Sequence, residues 1–229
     1  KEDQAQRVKE FMNYYITSVM EEYTPEFDQM LFYLPLAGST FKKVYYDENL
    51  DRAVSKFIPA EDLVVPYSTS DLETCPNITH VVKMSLNDLR KRQLSGFYRD
   101  IPVIPAQGET SSVKEELERI DGMYPSNVDY DCTLLECHVD LDLEGFEEED
   151  EEGEATGIKV PYVVTISQDN GQVLSIRRNY KQDDEKKKKI QYFVHYKFLP
   201  GFGFYGLGLI HTIGGLSRTA TAALRQLID

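Results

Sequence analysis

The chain has 229 residues, of which 39 are acidic and 25 basic, for a formal charge of −14. That length can bury roughly 70% of the surface exposed on unfolding, enough for one good core or two small ones, while the negative charge opposes capture of a nucleic-acid backbone or an anionic membrane. Cys75, Cys132 and Cys137 are an odd, sparse set that argues against a disulfide scaffold and for reduced thiols in a cytoplasm.

No signal-peptide pattern opens the chain. It starts at Lys1 without a methionine and stops at Asp229 inside a helical pattern, so we expect part of something longer. Over residues 1–23, Val8, Phe11, Met12, Tyr15, Ile16, Val19, Met20 and Tyr23 recur at spacings of three and four. That period predicts an amphipathic helix whose stripe packs on the core. Thr24 and Pro25 suit an N-cap and first helical position, opening a short helix that stops before Pro35. Residues 41–46 and 53–58 read as strands joined through DENLD, and residues 63–65 form a third short run closed by Pro66.

Residues 78–84 are a further strand, after which Ser85-Leu-Asn-Asp88 matches a capping box launching a helix to about Ser95. Pro102, Pro105 and Gly108 mark a linker, and residues 113–120 a short acidic helix stopped by Gly122. Residues 130–143 alternate, with Cys137, Val139, Leu141 and Leu143 on one face and His138, Asp140 and Asp142 on the other. This predicts a half-buried strand. Residues 144–154 carry eight carboxylates in eleven positions, a solvated excursion. Asp169-Asn-Gly171 predicts a tight turn joining strands 162–166 and 172–178. Residues 186–189, all lysine, make a second charged tip of opposite sign.

The last stretch, FLPGFGFYGLGLIHTIGGLSRTATAALRQLID over 198–229, supports three readings. Gly201, Gly203 and Gly206 spell G-x-G-x-x-G between a strand at 191–198 and a helix, the local context of a dinucleotide fingerprint. Phe202, Phe204 and Tyr205 would crowd a pyrophosphate there, and the fold would need a following parallel strand bearing an acid. Residues 198–217 carry no formal charge, but six glycines, Pro200 and His211 argue against a membrane helix. The third reading is a packed turn whose glycines admit a neighbouring backbone, with the three aromatics as a plug. In the helix that follows, Leu209, Ile213, Leu216, Ala220, Leu224 and Leu227 form a stripe expected to pack on the chain's own sheet.

Metal constellations fare poorly. Cys132, Cys137 and His138 with Cys75 and His80 match neither C-x2-C nor H-x3-H spacing. Asp129, Asp131, Glu136, Asp140 and Asp142 could be imagined around magnesium, but a polar outer strand face explains them as well.

Two blocks carry a family resemblance. Residues 62–100, DLVVPYSTSDLETCPNITHVVKMSLNDLRKRQLSGFYRD, hold a strand ending in proline, a D-x-E turn, an I-x-x-V-V strand and a helix starting S-x-N-D-L before Gly-Phe-Tyr. Residues 161–180, PYVVTISQDNGQVLSIRRNY, precede HYKFLPGFGFYGLGLIHTIGGLSRTATAALRQLID at 195–229. Both blocks resemble portal proteins of tailed bacteriophages, the second being similar to the segment leading from wing toward stem in podovirus-type portals. The rest of the stem, the clip and any crown have no counterpart here.

The resemblance implies one wing-type α+β domain over 1–229, a mixed, mostly antiparallel sheet flanked by helices. Its blocks would be N-terminal helices (1–35), a first β/α block (36–100), a linker and short helix (101–129), a β-rich block with an acidic loop (130–200), and the glycine loop and helix (201–229). It implies a structural role without catalysis, cofactor or metal. Many copies, commonly a dodecamer, would ring one capsid vertex of the virion after assembly in the host cytoplasm. Double-stranded DNA would pass through without sequence-specific binding, and the ring would meet terminase, capsid or scaffold, and tail adaptors, but no membrane. It places the last helix beside the stem, making Arg218, Thr219, Ala222 and Arg225 a subunit contact, with the 229 residues alone monomeric or weakly associating. An acidic wall that repels phosphates suits a sliding duplex. A nucleotide-binding enzyme using GFGFYG is the alternative from another class, and a capsid-associated interaction domain the third.

Overall fold

The structure, a computed structural model, describes residues 2–47, 50–103, 131–147 and 156–228. The linker positions beyond Val103, the predicted helix at 113–120 and most of the acidic block lie outside them. In chain order the elements are α1 (Glu2–Tyr14), α2 (Tyr23–Ala37), β1 (Ser39–Asp47), β2 (Arg52–Pro59), β3 (Leu63–Val64), β4 (Ile78–Ser85), α3 (Leu86–Leu94), β5 (Asp131–Leu141), β6 (Val160–Ser167), β7 (Val173–Arg178), β8 (Phe193–Lys197) and α4 (Leu209–Ile228). The fold is α+β, and the β1, β2 and β8 pairings and those from β4 through β7 are all antiparallel. Where the sequence reads as one domain in five blocks, the contacts fall into two compact units: residues 1–75 with 191–229, and residues 76–190.

In the first unit the strands order β2-β1-β8, and β1 meets β2 from Thr40↔Pro59 to Asp47↔Arg52. The N-terminal period does not yield one helix to residue 23. A π-helical turn, Tyr15–Val19, follows α1, and the chain leaves helical geometry at Met20 (φ −89, ψ 78) before α2 begins. Nor does the early stripe reach a core: Val8, Phe11 and Met12 are exposed, Tyr15, Ile16 and Val19 half-buried, and Met20 buried. A period reports which face is apolar, not what covers it.

The second helix starts before Thr24, with Glu22 at its N-cap and no side-chain cap, and it runs through Pro35 instead of stopping short. Pro35 sits in the last turn, where its missing N–H forfeits one intrahelical bond and leaves the rest of the helix intact. Gly38 then ends it in the left-handed region, φ +88, donating its N–H to the Leu34 carbonyl at 2.8 Å.

Strand β2 is an edge of this sheet, and three successive outward amides, on alternate residues, are covered by side chains from the preceding helical segment. Ala53 N donates to Tyr15 Oη (2.9 Å), Ser55 N to Glu22 Oε1 (3.4 Å) and Phe57 N to Glu26 Oε2 (2.6 Å). Arg52 closes the row with an ion pair to Glu22 at 2.6 Å. Free edge amides are templates for unwanted pairing, and this edge is blunted by carboxylates.

The second unit carries β4, β5, β6 and β7 side by side. The N-cap half of the predicted capping box forms, with Ser85 Oγ accepting from Asp88 N at 3.1 Å, while the Ser85 hydroxyl donates to the Asp88 carboxylate at 2.9 Å. The Asp169-Asn-Gly171 turn also forms: Gly171 takes φ +65 and its N–H donates to Ser167 O at 2.9 Å. Strand β5 departs from expectation on one face. Val139, Leu141 and Leu143 pack against Val160, Tyr162 and Val164 as the alternation predicts, but His138, assigned to the solvent side, is 2% exposed. Its neighbours on that face, Cys132 and Leu134, join a second core with Met84, Leu89, Tyr98 and Leu174. The sheet is thus covered on both faces, and His138 enters because Glu136 Oε1 (2.8 Å) and Asn179 Nδ2 (3.5 Å) meet its ring nitrogens.

Candidate functional site

The C-terminal stretch builds a junction around one aromatic ring and a close backbone contact. After β8, Phe198 N donates to Gly38 O at 3.0 Å, and a bridge between Leu199 and Leu207 closes the glycine loop on itself. Phe204, 6% exposed, turns inward and stacks on Phe41 at 5.9 Å, with His195 at 4.7 Å from it. Ser39 Oγ ties the layers together, accepting from Gly206 N at 2.7 Å and lying 3.1 Å from His195 Nε2. Burial, with Lys197 nearby, pushes the His195 pKa down to about 4, so the ring is neutral near pH 7. The expected three-ring plug is a one-ring plug: Phe202 is fully exposed and Tyr205 partly so.

The glycines serve the chain's own backbone. A Cβ on Gly206 would lie 2.5 Å from Gly38 O, and one on Gly208 would lie 2.3 Å from Leu36 O, whereas Gly203 faces open space. Gly203 is the middle glycine of the fingerprint, the one whose bareness should admit a pyrophosphate, and Gly206, the last, is filled by protein. The strand before the loop, β8, pairs antiparallel with β1, unlike the parallel unit a dinucleotide site is built on.

From this junction α4 departs. Its stripe was expected on the chain's own sheet, yet no residue of the helix is buried; Leu216 is 72% exposed and Leu227 82%. Arg218, Thr219, Ala222 and Arg225 are all exposed on it. Thr219 and Thr221 donate their hydroxyls to the carbonyls of Gly215 (3.0 Å) and Ser217 (2.9 Å), so their polarity is satisfied within the helix. The segment Leu209–Ile228 contains two arginines and no acidic residue.

A second apolar surface in the same unit had no signal in the sequence reading. Leu31, Phe32 and Tyr33 on α2, with Phe57 and Pro59 on β2 and with Asp28 and Gln29, line an open groove of about 670 Å³. Phe32 is 74% exposed. On the inner side of α2, buried Lys42 lies over the rings of Tyr23 (4.5 Å) and Phe27 (5.0 Å), and burial lowers its pKa against the pull of Glu26. No protein-family model matches the chain, and no curated protein matches it.

The metal candidates separate. Cys132 and Cys137 lie five residues apart on β5, hence on opposite faces, while Cys75 sits beside Thr69 in the first unit, 3.4 Å from its hydroxyl. Asp140 and Asp142 are exposed and Glu136 is engaged with His138; Asp129 lies outside the described residues. Among the described residues no group of three or more His, Cys, Asp or Glu is placed to hold a metal ion, and no helix is long and apolar enough to cross a membrane.

Proposed function

We propose that this chain is the wing-type region of a tailed-phage portal protein, one copy in a ring at a capsid vertex. Its role is structural and not enzymatic. Arg218, Thr219, Ala222 and Arg225 belong to the contact between copies, and double-stranded DNA passes the ring without sequence-specific binding. Terminase, capsid or scaffold, and tail adaptors are the partners that follow from this role, in the virion and in the host cytoplasm during assembly.

The observation that carries the assembly part is α4, a 20-residue helix with none of its residues buried. Large contiguous apolar surface on a protein marks a contact site, and the resemblance of residues 62–100, 161–180 and 195–229 supplies the kind of assembly. The charge of −14 supports the DNA part, since an acidic wall repels phosphates.

The test is electron microscopy of the full-length protein that carries this chain. Closed rings of uniform subunit number are expected, with no retention of duplex DNA at about 150 mM salt. Open filaments, or a protein that stays monomeric, would contradict the portal reading.

A further inference from the structure

The three-stranded sheet of the first unit has two edges, β2 and β8, and they are finished differently. Strand β2 is capped by Tyr15, Glu22 and Glu26. On β8, the ends of the ladder set the parity: Val44 N donates to Tyr192 O at 2.8 Å, and Phe198 N to Gly38 O at 3.0 Å. Hydrogen-bonded pairs alternate in an antiparallel ladder, so Val194 and Tyr196 turn their backbone groups toward β1, opposite Lys42 and Thr40. His195 and Lys197 turn theirs away from the sheet, and among the described residues no hydrogen bond meets those outward N–H and C=O groups. An open edge of this kind accepts an added strand. We propose that β8 of one copy pairs antiparallel with β8 of a second copy, centred on Tyr196, so that two three-stranded sheets run on as one. This rests neither on α4 nor on the portal reading.

Three observations select a second copy as the occupant. The first is the backbone. A pair centred on Tyr196 sets His195 against Lys197 of the second copy, and Lys197 against its His195, and each such pair exchanges two N–H···O bonds. Every backbone group that these two residues leave outward is then used. A slip of one residue would set outward groups against inward ones.

The side chains are the second. Val194, Tyr196 and Phe198 alternate onto one face of the strand; Val194 is 45% and Phe198 39% exposed, and Tyr196 is half-buried. In this register Tyr196 meets Tyr196, and Val194 meets Phe198 on either side of it. Aromatic–aromatic and aromatic–β-branched combinations are the favourable cross-strand pairs. Because the apolar positions are symmetric about Tyr196, the strand is its own complement.

The third is charge. Copies with a net charge of −14 repel, yet residues 190–200 hold Lys197 and no acidic residue, so no carboxylate faces another along this strand. The two Lys197 side chains stand diagonally across the pair, where like charges cost less than directly opposite. A contact of two five-residue strands is smaller than the roughly 1,200–2,000 Å² of a standard interface, so it associates weakly. It is two-fold and closes at two copies, which separates it from a contact running round a ring.

The test is cysteine trapping in the full-length protein. Directly opposed residues of a non-hydrogen-bonded antiparallel pair have Cα atoms about 4.5 Å apart, within disulfide reach. Mild oxidation of Tyr196→Cys should therefore give a cross-linked dimer at least ten-fold above Val194→Cys alone, whose opposite position is Phe198. Mixing Val194→Cys with Phe198→Cys should restore the cross-link. The native thiols interfere little, Cys75 and Cys132 being buried and Cys137 half-buried. No dimer from Tyr196→Cys would overturn the proposal, and so would equal cross-linking by Val194→Cys alone, which would mean another register or random collision. As a second arm, Val194→Lys changes an exposed side chain and places on the edge a charge of the kind that blocks strand pairing. Added to Tyr196→Cys, it should leave the melting temperature unchanged and reduce the cross-link at least ten-fold; an undiminished cross-link would also overturn the pairing. The two readings fail separately. Closed rings without the Tyr196 cross-link would keep the portal reading and remove this contact, whereas cross-linked dimers that never close into rings would do the reverse.

Discussion

Phe204 and its neighbours show how much one residue decides. The ring closes the core between β1 and β8 by stacking on Phe41 beside His195, so Phe204→Ala should cost about 3 kcal/mol, the range for truncating a buried aromatic. Chemical denaturation measures it; a loss under about 1 kcal/mol would mean that the loop is not docked. The glycines give a sharper contrast. Gly203 faces open space and Gly208 abuts the Leu36 carbonyl, so Gly203→Ala should leave stability within about 0.5 kcal/mol, while Gly208→Ala should lose about 1–3 kcal/mol through overpacking against backbone. If the glycines served a phosphate instead, Gly203 would be the intolerant one in a ligand-binding assay. His195 predicts a pH effect. Its pKa falls from 6.5 to about 4 on folding, so the unfolded state takes up the proton first. Its contribution is complete above about pH 6.5 and is lost as pH falls toward about 4. Thermal melts over that range should show the slope, and His195→Gln should flatten it. That the loop was packed was readable from its composition; that Phe204 alone would turn inward was not, because Phe202, Phe204 and Tyr205 are equivalent as apolar residues until β1 and β8 are in place.

Elements governed by nearest neighbours along the chain were the legible ones. Ser85 and Asp88 start α3, and Asp169-Asn-Gly171 reverses the chain between β6 and β7, because capping and turn chemistry need only three or four residues. Elements whose outcome depends on what lies opposite were not. The stripes of α1 and α4 were correctly apolar but wrongly placed against this chain's own core, and His138 looked like a solvent residue because its partners, Glu136 and Asn179, confer burial that alternation does not encode. The covered edge of β2 was equally invisible, since Glu22 and Glu26 read as ordinary helix acids. Glu26→Ala strips the acceptor from Phe57 N and should cost about 1–3 kcal/mol, with Glu26→Gln costing less because its carbonyl still accepts. For Glu22, burial opposes the charged form, but hydrogen bonds from backbone amides and the Arg52 guanidinium outweigh it and hold its pKa below the ordinary 4.5. Its folded pKa being depressed, its contribution is present above pH 4.5 and lost on further acidification. Acid melts of Glu22→Gln against the unsubstituted chain should therefore converge below that pH.

At the scale of the whole molecule, the first unit packs its sheet, its β2 edge and its Phe204 junction within itself while leaving α4, the groove wall and most of α1 bare. That division fits a subunit whose remaining burial comes from other copies, and it displaces the expectation that one face of α4 would be internal. Arg218 and Arg225 sit seven residues apart on that bare helix, where reversing them should leave the fold intact and change only association. Sedimentation velocity across about 1–100 µM, comparing the full-length protein that carries this chain with its Arg218→Glu/Arg225→Glu variant, addresses this most directly. Assembly well beyond the monomer is expected for the unsubstituted protein and its loss in the variant, both melting at the same temperature. A full-length protein that stays monomeric at the highest concentration, or a variant that assembles as well as the original, would contradict the contact between copies.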